Sequence, residues 1–220
     1  ARIAKRVMLG FASAAPYFAG AKTKCQAVGN PVRDEILAIE PKRQTSQPMR
    51  MLVVGGSLGA RPLNEQLPVI CQSFPELEIR HQCGRGNEQT VRSAYGDKPV
   101  TVNEFITDMA EAYQWADFVV CRAGALTVAE VAGAGNPAIF VPLPHAVDDH
   151  QTLNARYLAD QNAAKVVAQS ALSQELPVIL RDWLENPDDC VRMAANAKQF
   201  APYNAAQQVA DACEALTRER

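Results

Sequence analysis

From residue 50 onward the chain alternates between short strand-like runs, continuously apolar at 51–54, 118–121 and 138–141, and longer segments in which apolar residues recur every three or four positions. The runs Met51–Val54, Leu77–Gln82, Val100–Asn103, Phe118–Cys121, Ala138–Val141 and Lys165–Ala168 read as strands. The segments Pro62–Ser73, Glu88–Tyr95, Asp108–Trp115, the stretch from Leu126, and His150–Asp160 read as helices. A strand that is apolar at every position must be covered on both faces. The pattern therefore predicts an α/β fold, a Rossmann-like parallel sheet with helices on either side.

After Ala168 the spacing is helical only. Asn186-Pro187-Asp188-Asp189 reads as an N-cap, a proline at the first helical position and acids in the first turn. Asn204-x-x-Gln207 reads as a capping box ahead of Ala206, Val209, Ala210, Cys213 and Leu216. Residues 1–45 are less regular, with one strand over Cys25–Val28, a turn at Gly29-Asn30-Pro31 and a linking segment over 41–48.

Composition narrows the class. A chain of 220 residues fits one large domain, or one domain with a tail. No apolar run reaches the length of a membrane span. With 22 basic and 24 acidic residues the chain is not a general nucleic-acid binder, which would be visibly basic. The six cysteines form no C-x-x-C pair and read as reduced thiols used as small apolar residues. There is no signal-peptide pattern, and Ala1 opens in mid-pattern, as a fragment or excised domain would.

The richest chemistry lies in Asp117–Glu130. An apolar strand ends in Arg122-Ala-Gly124 and a helix follows at once. Unpaired amides at a helix N-terminus carry roughly half a positive charge and bind phosphate without a basic side chain. Glu130 lies about one turn into this helix. It either returns to the amide-lined site to hold a ribose diol or simply answers the helix dipole. Gly55-Gly-Ser-Leu-Gly59 follows another strand and precedes another helix. It has three readings: a second phosphate turn using Ser57, a plain glycine turn, or the G-x-S-x-G elbow of a serine hydrolase. The hydrolase would need a histidine, and the chain offers His81, His145 and His150 only. Arg33, stiffened by Pro31, is either a phosphate clamp or a solvated surface residue. Asp148-Asp149-His150-Gln151 reads as a helix cap, with Asp148 at the N-cap and Gln151 in a capping box, rather than as a metal site. Either way Gln151 and His150 fall at the sheet edge where ligands of open α/β sheets bind.

Five blocks, Gly29-Asn-Pro-Val-Arg33, Val54-Gly-Gly-Ser-Leu-Gly-Ala-Arg61, Glu104-Phe-Ile-Thr-Asp-Met109, Cys121–Glu130 and Asp149-His-Gln-Thr-Leu-Asn-Ala155, occur in order over nearly the whole chain. Together they resemble the MurG family of peptidoglycan glycosyltransferases, enzymes of two-domain GT-B architecture. The resemblance implies transfer of N-acetylglucosamine, with inversion, from UDP-N-acetylglucosamine to lipid I at the cytoplasmic face of the bacterial inner membrane. It implies no metal and no cofactor. Arg33 and Ser57 would contact the diphosphate, and the Ile106 backbone would read uracil. Ala125, Leu126, Thr127, Val128 and Ala129 would line the phosphate end, Glu130 would hold the ribose, and Gln151 would touch the sugar. The match at His150 is looser, because related sequences commonly carry glutamine there. The family's N-terminal GGTGGH segment, with the acceptor site and the base, is absent. The expected organisation is an N-terminal-domain remnant over 1–20, a UDP-sugar-binding domain over 21–203 and a C-terminal helix over 204–220. Lipid I and the membrane would be met only through the missing half. Another GT-B enzyme such as a UDP-sugar epimerase, and the Ser57 hydrolase, remain the alternatives.

Overall fold

Successive residues of β3 (Met49–Val54) point to opposite sides and feed two separate cores. A computed structural model describes residues 3–144 and 149–218. Met51 and Val53 pack with Leu63 and Leu67 of α2 (Arg61–Cys71), Val91 of α3 (Glu88–Ala94), and Leu176 and Trp183 of α7 (Leu172–Glu185). Leu52 and Val54 pack with Ile36 of α1 (Asp34–Leu37), Tyr113 of α4 (Met109–Trp115), Val128 and Val131 of α5 (Ala125–Ala134), and Leu158 of α6 (His150–Ala159). The unbroken apolar strands are thus explained: each residue has a helix layer to meet, on one face or the other.

Six strands form one parallel sheet in the order β5-β4-β3-β6-β7-β8. The partners of β3 are β4 (Leu77–Gln82), β5 (Val100–Asn103), β6 (Phe118–Cys121), β7 (Ala138–Phe140) and β8 (Ala164–Val166). From β3 the chain builds outward one way, then returns to the other side of β3 with β6. That reversal is a topological switch point, where open α/β sheets bind ligands. Register makes the edge flush: Val54 lies opposite both Gln82 and Cys121, Gln82 opposite Asn103, Cys121 opposite Phe140, and Phe140 opposite Val166. All six strand-end loops leave from one line.

The sequence differs from the structure mainly at caps and at the N-terminus. Residues Ala12–Lys24 form a 3-10 stretch, and β2 (Cys25–Ala27) joins β1 (Val7–Leu9) in a separate two-stranded parallel sheet. Residues on both sides of position 20 therefore share one sheet. The expected Asp148 cap falls outside the described residues. The N-cap position of α6 is Asp149, with φ +51 and no side-chain bond to the helix amides. Its carboxylate accepts from the Thr152 hydroxyl at 2.7 Å instead. The capping box at Asn204 also fails: Gln207 reaches forward to Asp211 at 2.7 Å rather than back. Asn186 occupies the N-cap of α8 (Pro187–Lys198) as expected, but its side chain turns back to the Asp182 carbonyl. The closing helix α9 spans Ala205–Arg218. Among the described residues no helix is long and apolar enough to cross a membrane. Cys71, Cys83, Cys121 and Cys190 are buried free thiols.

His81 is fully buried on β4, with Nδ1 3.0 Å from the Tyr95 hydroxyl and Nε2 3.1 Å from Asn64 Oδ1. Burial lowers its pKa from 6.5 to about 4. The unfolded chain therefore takes up this proton near pH 6.5 while the folded chain refuses it. Stability from this site is complete above that pH and falls as pH drops toward 4, by roughly 3 kcal/mol over the window. Urea unfolding at pH 7 and pH 5 checks this. The wild type is expected to lose about 2 kcal/mol more than His81→Gln over that step; equal losses would remove His81 as the cause.

Candidate functional site

The first strand-end loop is shaped by its glycines. The Gly59 amide donates to the Gly56 carbonyl at 3.0 Å, and both residues take left-handed backbone, φ +80 at Gly56 and +76 at Gly59. A Cβ on Gly59 would lie 2.1 Å from the Cys83 carbonyl oxygen, so backbone runs directly over backbone here. The neighbouring loop is pinned in turn, because Asn64 and Asn87 both donate to the Cys83 carbonyl, at 2.9 and 3.2 Å. Ser57 and Leu58 are left exposed at the tip, directly before α2, whose N-cap Ala60 supplies no side-chain cap. Ser57 is not among the positive-φ residues, so the strained serine of a hydrolase elbow is absent here. His81 spends both ring nitrogens on Tyr95 and Asn64 and has none left for Ser57. His145 lies outside the described residues, and His150 lines an apolar groove with Phe11, Tyr17 and Phe18.

Across the switch point, α5 starts with Gly124 at its N-cap, so no side chain occupies its amides. The first helical bond runs from the Val128 amide to the Gly124 carbonyl at 2.9 Å. The amides of Ala125, Leu126 and Thr127 precede it and remain for an anion. Ala125 and Leu126 are exposed and Thr127 half-buried, whereas Val128 and Ala129 face inward. Val128 seats the helix in the core, and its amide is already committed to the helix. Arg122, the cation nearest this turn in sequence, does not serve it. Its guanidinium donates to the Val141 and Pro142 carbonyls at 3.0 and 3.1 Å and to Gln169 at 2.7 Å. It ties the β6 turn to the exit of β7, while Asn154 of α6 holds the Ala123 carbonyl at 3.1 Å. Gln151 accepts from the Leu143 amide at 3.0 Å, which fixes the third loop against the start of α6.

Arg33 is the N-cap residue of α1, with its side chain half exposed 3.6 Å from Glu130 Oε1. Glu130, the sixth residue of α5, lies beyond the helix's first turn, so the dipole alone does not account for its place. Its other oxygen, Oε2, accepts from the Tyr113 hydroxyl at 3.1 Å. Ile106 is half-buried on the same core, in the loop from β5 to α4. Asp108 caps that helix by accepting from the Glu111 amide at 2.8 Å. A groove of about 590 Å³ runs beside it, lined by Arg33, Thr107, Asp108 and Gln114. Thus Arg33 and Glu130 meet directly, and the loops carrying Ser57 and Ala125–Thr127 flank one switch point. Gln151 belongs to the next strand end along. Sequence reasoning missed Tyr113, Arg122 and Asn154 as supporting residues; their only signal is a polar atom placed within an otherwise apolar or motif position.

Strand order and the uncapped helix at the switch point define the Rossmann-like C-terminal domain of a GT-B glycosyltransferase. The chain belongs to glycosyltransferase family 28, whose C-terminal domain matches residues 50–209. It is 50% identical over 222 residues to the UDP-N-acetylglucosamine–N-acetylmuramyl-(pentapeptide) pyrophosphoryl-undecaprenol N-acetylglucosamine transferase of Aeromonas hydrophila, covering 98% of this chain and 60% of that one. The crystal structure of Acinetobacter baumannii MurG matches with a TM-score of 0.77 at 42% identity, over 96% of this chain and 60% of that chain. A UDP-N-acetylglucosamine 2-epimerase structure shares the fold alone, with a TM-score of 0.62 at 11% identity, over all of this chain and 59% of that chain. The chain spans about 60% of the length of the relatives it matches.

Proposed function

We propose that this chain is the donor-binding half of an inverting transferase that moves N-acetylglucosamine from UDP-N-acetylglucosamine to lipid I, giving lipid II. The observation that carries this reading is the switch-point arrangement: an uncapped helix N-terminus at Gly124 beside a glycine turn, with Glu130 further along the same helix and Arg33 facing it from the start of α1. In the reaction the acceptor hydroxyl attacks the anomeric carbon as UDP departs. Negative charge then grows on the diphosphate, and in this reading the Ala125–Thr127 amides, the Ser57 turn and Arg33 stabilise it. Arg33 exchanges its long contact with Glu130 for the phosphate, and Glu130 takes the ribose hydroxyls. The Ile106 backbone reads uracil. Gln151, whose carbonyl oxygen is held by Leu143, offers its NH2 to the sugar.

No residue of this chain is assigned to deprotonate the acceptor hydroxyl. That base, the lipid I site and the membrane contact belong to the part of the relatives' length that this chain does not span. The UDP-sugar domain runs to residue 203, and α9 (Ala205–Arg218) closes it. The isolated chain is accordingly expected to bind UDP-N-acetylglucosamine weakly and to make no lipid II; robust lipid II formation by it alone would overturn this division. Glu130→Ala is expected to lower UDP affinity by about 1–3 kcal/mol, the loss typical of a charged hydrogen bond. Calorimetry finding unchanged affinity in a folded variant would return Glu130 to a packing role.

A further inference from the structure

Tyr113 is fully buried, yet its hydroxyl reaches the Glu130 carboxylate at the switch point. The ring packs in the core beneath α4 and α5, and the hydroxyl lies 3.1 Å from Glu130 Oε2. A buried hydroxyl needs a partner, and a phenol facing a carboxylate acts as donor. Burial, with Glu130 second, raises the Tyr113 pKa well above 10, so that proton stays in place throughout the working range of pH. Glu130 is half-buried, with Arg33 at 3.6 Å on its other oxygen. Arg33 is half exposed and leaves when it meets a phosphate; Tyr113 has nowhere else to turn. The phenol is therefore the fixed end of this pair of contacts.

Its place on α4 adds a second consequence. The loop that enters α4 carries Ile106, and the body of the helix carries Tyr113. The segment proposed to read the base and the group that faces the carboxylate of α5 are thus joined within one loop and helix.

We infer that Tyr113 is a positioning residue for nucleoside recognition: its hydroxyl fixes the Glu130 carboxylate in the orientation that grips the two ribose hydroxyls. This rests on the donor-binding reading above. It assigns no chemistry to Tyr113, which is buried and acts through Glu130.

Tyr113→Phe keeps the ring and removes only the donor. UDP affinity is expected to fall about 5–20-fold, less than the loss from removing Glu130 itself. A purely structural defect would weaken every nucleotide alike. Here 2′,3′-dideoxy-UDP, which has no diol to grip, is expected to bind wild type and Tyr113→Phe equally. In a Glu130→Ala background Tyr113→Phe is expected to add less than about twofold, the non-additivity of residues acting as one unit. In the complete two-domain enzyme the same variant raises KM for the donor and leaves kcat near wild type. Wild type binding UDP while Tyr113→Phe binds it equally well would overturn the inference alone. An equal loss for UDP and the dideoxy analogue would reduce Tyr113 to a packing residue. Wild type with no affinity for UDP would sink the donor reading itself. Should Tyr113→Phe fold poorly, the dideoxy comparison on wild type and Glu130→Ala still decides whether the carboxylate grips the diol; equal discrimination by the two would overturn the inference.

Discussion

Gly59→Ala is expected to abolish measurable nucleotide binding, whereas Gly56→Ala three residues earlier is expected only to weaken it. Both glycines have left-handed backbone, at φ +76 and +80, so either alanine costs about 1–2 kcal/mol of conformational energy. Their surroundings differ. A Cβ at Gly56 meets nothing within 4 Å, while a Cβ at Gly59 lies 2.1 Å from the Cys83 carbonyl oxygen. No side chain can rotate to relieve that second clash, because the obstacle is backbone held by two asparagine amides. The turn would have to lift off the β4 exit and carry Ser57 and the start of α2 with it. Calorimetry on the two folded variants should show a loss at least tenfold larger for Gly59→Ala. Equal losses would mean that the turn tolerates displacement and contributes little to the site.

Asp117→Ala should be among the most destabilising substitutions in the chain, at about 3–5 kcal/mol, while leaving the affinity of the folded fraction unchanged. The side chain is completely buried at the start of β6. One oxygen accepts from Lys42 Nζ at 2.8 Å, the Ser46 amide at 3.1 Å and the Ser46 hydroxyl at 3.2 Å; the other accepts from the Arg50 amide at 2.8 Å. One carboxylate thus ties the 41–48 link to the starts of the two central strands. Alanine leaves two backbone amides without their partner, each costing about 1–3 kcal/mol if no water replaces it. The loss falls at the sheet edge opposite the binding loops, which is why stability and affinity should separate. Urea unfolding that changes by less than about 1 kcal/mol would show that Lys42 and Ser46 reorganise freely.

These two residues mark what sequence makes legible. The glycine turn announces itself, since glycines between an apolar strand and a helix have few other uses. The strand end at Cys121 was also readable, because the continuous apolar run Phe118–Cys121 stops where the sheet stops. Asp117 carries no such mark: its partners lie 67 to 75 residues away, and nothing local distinguishes a buried carboxylate from a solvated one. The same holds for Tyr113, whose spacing is that of any core aromatic. Strand order was not legible either, as crossover direction leaves no trace in periodicity. The expected capping boxes at Gln151 and Gln207 are not formed, for one shared reason. Asp, Asn and Gln that match a capping pattern also pair readily elsewhere, as Gln151 does with Leu143 and Gln207 with Asp211. In the Cys121–Glu130 segment, the pattern located the helix N-terminus but did not separate the outward amides of Ala125–Thr127 from the inward Val128 and Ala129.

The central claim is that a nucleotide sugar binds at the switch point between β3 and β6. The most direct test is an NMR titration of the isotope-labelled chain with UDP-N-acetylglucosamine, following every backbone amide. Saturable shifts are expected, largest at Gly56–Gly59 and Ala125–Thr127, with smaller ones at Arg33, Ile106, Glu130 and Gln151. No saturable shift, or shifts centred on the groove of Lys165, Asp189 and Arg192 beside β8, would contradict it.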